Sequence, residues 1–112
     1  MQIPGETFYV ESAEKASWIP FLERAGFTVD DRSHGLTEAG RQLGYSFSGR
    51  LTHGGTPGKS YVARLQREEG LFALRIASDK AEANARLEAN AFVRKILKGH
   101  LSQRKTKKNE SA

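Results

Sequence analysis

Three runs that alternate strictly in polarity constrain this chain most. In YSFSGRLT, Tyr45, Phe47, Gly49 and Leu51 alternate with Ser46, Ser48, Arg50 and Thr52. In YVARLQ, Tyr61, Ala63 and Leu65 alternate with Val62, Arg64 and Gln66; in LFALRIA, Phe72, Leu74 and Ile76 alternate with Ala73 and Arg75. Successive side chains of a strand point to opposite faces, so a period of two predicts a sheet with one wet face. The REEG between the last two runs is a turn signal and predicts a hairpin. Tyr61, Val62 and Leu65 also share a helical face, so a helix over 60–69 is the alternative.

The remaining segments read as helices and edge strands. Phe8-Tyr9-Val10 marks a strand over 7–11. Ser12 then suits an N-cap, with a helix running to Ala25 and stopping at Gly26. That helix would bury Ala16, Ile19, Leu22 and Trp18. Pro20 removes a hydrogen bond inside it, so the helix either kinks there or gives way to a second one. A short strand at Phe27–Val29 leads into the polar turn DDRSHG, and Thr37 caps a short helix over 38–43 that packs Leu36, Ala39 and Leu43. Ser78 or Asp79 opens the strongest helix. Ala81, Ala85, Ala89, Phe92, Val93 and Ile96 form its apolar stripe, and Gly99 ends it. The expected fold is α+β: a small, mainly antiparallel sheet with an N-terminal and a long C-terminal helix on one face. Residues 1–99 form the single domain and 100–112 a flexible basic tail.

Charge is divided unevenly. Residues 94–112 hold seven Lys and Arg against one Glu, whereas the first 93 hold 11 Lys and Arg against 12 Asp and Glu. The body is nearly neutral, and the whole excess of the +5 net charge sits at the C-terminal end. Such a cationic arm attracts polyphosphates through counterion release. The absence of cysteine excludes disulfides and cysteine-ligated zinc. No stretch approaches the ~20 apolar residues of a membrane span. The N-terminus lacks the basic and apolar regions of a secretion signal, so the expected location is cytoplasmic.

Catalytic constellations are thin. HGGTPGKS, residues 53–60, resembles the phosphate loop of nucleotide-binding proteins, but His53 stands where its first glycine belongs. A hairpin turn explains its glycines and Pro57 better. His34, His53 and His100 are isolated, and Asp30-Asp31 and Glu68-Glu69 fall in expected turns. No enzyme activity, cofactor or metal is expected. The stretch FLERAGFTVDDRSHGLTEAGRQLG resembles the end of bacterial winged-helix DNA-binding domains. That resemblance implies DNA binding with the following hairpin as wing.

The leading expectation is therefore a small non-enzymatic nucleic-acid-binding accessory or regulatory protein. Arg50, Arg64 and Arg75 occupy polar positions of three strands and would share a face, with Lys59 in the loop. Arg94, Lys95, Lys98, Arg104, Lys105, Lys107 and Lys108 supply the C-terminal cations. No aromatic residue follows Phe92, so the arm itself does not stack on bases. The rival is a protein–protein module, an inhibitor or adaptor, with a solubilising tail. A small enzyme would need a pocket uniting distant polar residues.

Overall fold

The computed structural model describes residues 5–54 and 60–101. Among the described residues, five strands and three helices follow one another as β1 (Glu6–Val10), α1 (Lys15–Arg24), β2 (Phe27–Asp31), α2 (Glu38–Gln42), β3 (Tyr45–His53), β4 (Ser60–Glu68), β5 (Leu71–Ser78) and α3 (Ala83–Leu97), with a 3-10 turn at Ser33–Gly35. The strands form one antiparallel sheet in the order β1-β5-β4-β3-β2. β2 to β5 make a meander, and β1 returns along the free side of β5.

Helices α1 and α3 pack on the same face. Trp18 and Leu22 of α1 and Ala89, Val93 and Leu97 of α3 join Phe8, Phe47, Leu51, Leu65, Leu74 and Ile76 of the strands in one core. The Trp18 ring meets Phe47 edge-on at 4.8 Å. This is the architecture expected from the alternation. The 60–69 segment is strand β4, not a helix. The hairpin turn is Glu69-Gly70, both at positive φ (40° and 87°), since Glu68 still pairs with Leu71. Two consecutive positive φ values are the mark of the turn whose twist matches a β-hairpin.

Several boundaries differ from the sequence reading, each for a local reason. α1 starts at Lys15, because Ser12 spends its hydroxyl on the Glu14 N–H ahead of the helix. Within it Ala16 is exposed, two residues from Trp18 and so nearly opposite it on the helix, whereas Trp18 and Leu22, four apart, share the buried stripe. Pro20 lies inside this one continuous helix. β2 extends through Asp31, so Asp30-Asp31 belong to an edge strand rather than a turn. α2 is capped by Thr37 Oγ1, which accepts the Gly40 N–H at 3.0 Å. It lies at the periphery: Ala39 is exposed and Leu43 is 66% exposed. α3 is capped by Glu82, whose carboxylate accepts the Ala85 N–H, and Ala81 precedes it. Ser78 and Asp79 serve elsewhere: Ser78 Oγ accepts the Lys80 N–H, the Ser78 N–H donates to Asn90 Oδ1, and Asp79 binds Arg50. Beyond α3, His100 and Leu101 bond back to the Leu97 carbonyl, and Leu101 packs against the core.

The winged-helix resemblance does not extend to the fold. Its stretch forms the end of α1, the edge strand β2 and the five-residue α2, and three further strands, β3 to β5, continue the meander that β2 begins. The phosphate-loop resemblance fails likewise, because Ser60 opens a strand antiparallel to β3, where a phosphate loop would open a helix.

Candidate nucleic-acid interface

The face of the sheet away from the helices carries the strand arginines. Register places them in cross-strand rows. Ser48, Arg64, Arg75 and Thr7 lie opposite one another across β3, β4, β5 and β1. Arg50 pairs with Val62, and Val62 with Ala77, one row away. Arg50, Arg64 and Arg75 therefore share a face, as their alternation requires.

Their surroundings differ. Arg50 Nη1 donates to Asp79 Oδ2 at 2.6 Å and to Ser60 Oγ at 2.9 Å. Arg75 donates from Nη1 to Gln66 Oε1 and from Nη2 to Glu68 Oε2, both at 2.6 Å. Arg64 is exposed and has no ion pair among the described residues; its guanidinium lies over the Tyr45 ring, 6.0 Å from the centroid. That is the outer limit of a cation–π contact. A guanidinium has five N–H donors, so the two paired arginines keep donors free for a further acceptor.

Tyr45 is the residue that sequence pattern misplaces. Strict alternation assigns it to the face of Phe47. Between them the pairing slips: Phe47 faces Leu65 but Tyr45 faces Gln66, leaving Ser46 as an extra residue. This bulge turns Tyr45 onto the open face, while the Gly44 carbonyl accepts the Arg67 N–H. No pattern in residues 44–47 announces the bulge; it is visible only in the register with β4.

An open depression of about 460 Å3 lies on this face. Gly5, Val62 and Ala77 form its low floor, and Thr7, Arg64, Arg75 and Tyr45 rise around it. Gly5 is required by close approach: a Cβ there would sit 2.7 Å from the Ala77 side chain and 2.3 Å from the Ile76 carbonyl oxygen.

The described cations near the C-terminus occupy the other layer. Arg94, Lys95 and Lys98 are exposed at the end of α3, on the helix side of the sheet, and Arg94 reaches Glu6 of β1 at 3.7 Å. Lys95 and Lys98 have no ion pair among the described residues. Basic residues there also complement the helix C-terminus. The strand arginines and the end of α3 thus lie on opposite layers of the fold. Lys59, Arg104, Lys105, Lys107 and Lys108, and the expected flexibility of the segment from Ser102 onward, lie outside the described residues.

Three titratable groups of the body, His53, Tyr61 and Asp31, have specific surroundings. His53 lies between Phe27 and Phe92, with ring centroids 5.1 and 5.0 Å away. Its Nε2 lies 3.0 Å from the Ala25 carbonyl, which can only accept, so Nε2 carries the proton. Burial and the nearby Asp79 charge push the Tyr61 hydroxyl up to about 12. The Lys15 ammonium, aided by Ser33, holds Asp31 down at about 2. Among the described residues no three His, Asp or Glu are grouped to hold a metal ion, and no helix is long and apolar enough to cross a membrane. No protein-family model, curated protein or solved structure matches the chain.

Proposed function

We propose that this chain is a small non-enzymatic accessory or regulatory protein that binds nucleic acid in the cytoplasm. The observation that carries the reading is the segregation of charge. The body is balanced, and the excess begins at the solvent-exposed Arg94, Lys95 and Lys98 and continues in sequence through Arg104, Lys105, Lys107 and Lys108. The C-terminal segment supplies most of the attraction, which is salt-dependent and indifferent to sequence. Lys59 and the open-face arginines assist it.

Binding of duplex and single-stranded oligonucleotides across a salt series tests this. Deleting residues 102–112 removes four Lys and Arg. If each meets one phosphate, the log–log salt slope on duplex becomes shallower by roughly 3 to 4. Absence of binding in dilute buffer, with or without the segment, overturns the reading.

One observation favours the rival. Asp79 and Glu68 already hold Arg50 and Arg75, which leaves the sheet face close to neutral, as a protein-binding surface would be. On that reading the deletion changes solubility alone, and the open face binds its partner undiminished in high salt.

A further inference from the structure

We infer that the open sheet face seats an unstacked base of a single-stranded nucleic acid, with Tyr45 as stacking platform and Arg64 beside it. This rests on the nucleic-acid reading above and adds the form of the ligand and the place where it binds.

Shape comes first. The depression spans four adjacent strands, β3, β4, β5 and β1, because its lining residues come from each of them. Three inter-strand gaps make that about 14 Å across. The major groove of a duplex is about 12 Å wide and admits a helix or a two-stranded ribbon. A four-stranded face does not enter it. Bases therefore reach this floor only when they are splayed out of a single strand.

The chemistry agrees. A base needs an apolar surface to lie on and an aromatic plane to stack against; Val62 and Ala77 provide the first and Tyr45 the second. Its flanking phosphates need fixed donors. Arg75 is held in place by Gln66 and Glu68, and Arg50 by Ser60 and Asp79, so their remaining N–H groups are already oriented. Arg64, free of any carboxylate among the described residues and lying over Tyr45, closes on the base or on its phosphate. Thr7 contributes a hydroxyl at the β1 rim. The bulge that turns Tyr45 outward and the glycine just ahead of β1 that keeps the floor low both border the same depression.

Fluorescence anisotropy with the full chain tests the inference. The probes are a short labelled oligo(dT) and the matching duplex at equal salt. The single strand should bind more tightly. Tyr45→Ala should lower its affinity roughly tenfold, as expected for one lost base–aromatic stack. Duplex affinity should stay unchanged, and Tyr45→Phe should restore the loss. Arg64→Ala, at an exposed position that leaves folding intact, should weaken the single strand several-fold. If both variants bind oligo(dT) like the parent while deletion of residues 102–112 abolishes binding, the inference falls and the nucleic-acid reading stands. Equal losses on both probes also overturn it. If neither probe binds the parent chain, both the reading and the inference fail.

Discussion

On the helix-covered face, Phe47, Leu65, Leu74 and Phe8 form a cross-strand row closed to solvent. One residue along each of β4, β5 and β1, on the open face, stand Arg64, Arg75 and Thr7. The same backbone carries both rows. The first is apolar and closed to solvent. The second carries long guanidiniums beside small residues, of which Arg75 is held by its ion pair with Glu68 and Arg64 lies over Tyr45. Surface ion pairs with this much solvent contribute under about 1 kcal/mol each. The covered face thus holds the fold together, and the open face contributes little to stability.

Neighbours on one strand give the largest contrast. Leu65→Ala removes a fully buried side chain and should cost about 2–5 kcal/mol in denaturant unfolding, whereas Arg64→Ala should stay within about 0.5 kcal/mol. Equal costs would break the comparison between faces. Gly5→Val tests a place where the open face is tightly packed. A side chain there strikes Ala77 and should cost about 1–3 kcal/mol while filling the depression.

Tyr61→Phe asks whether the covered face tolerates a polar group without a partner. The Tyr61 hydroxyl is buried and makes no hydrogen bond among the described residues, so its removal should change stability by less than about 1 kcal/mol, in either direction. The parent chain should lose stability as pH rises from 10 to 12. The unfolded tyrosine ionises near 10.0 and the folded one only near 12, so the contribution is complete below 10 and gone above 12. The phenylalanine variant should lack that share of the alkaline loss. The smallest effect belongs to the exposed Lys15–Asp31 pair, beside the edge strand β2. Asp31 titrates near 2 instead of 3.8, so its contribution is whole above about pH 4 and fades as pH falls toward 2. Lys15→Met should return the Asp31 carboxyl toward its ordinary value in an NMR titration.

Period-two alternation made the sheet, the β4–β5 hairpin and the shared face of Arg50, Arg64 and Arg75 legible, because strand geometry converts spacing directly into facing. Helix starts were less legible. Ser12, Ser78 and Asp79 are all good caps, and each side chain is engaged ahead of its helix or by a residue distant in sequence: Ser12 by the Glu14 N–H, Ser78 by the Lys80 N–H, Asp79 by Arg50. Leu43 reads as core and is exposed, because α2 lies at the rim of the sheet. Tyr45 was hidden for a different reason. A bulge is a relation between two strands, and Tyr45-Ser46-Phe47 alone reads as regular alternation. The depression at Gly5 was hidden likewise, since β1 and β5 are far apart in sequence and meet only in the folded sheet.

The most direct measurement follows the arginine Nε–H signals of the full chain by NMR during titration with oligo(dT) in dilute buffer. The signals of Arg64, Arg75 and Arg50 should move together and saturate, along with the ring of Tyr45. Shifts confined to Arg94 and the residues after it would contradict the open sheet face as a binding surface.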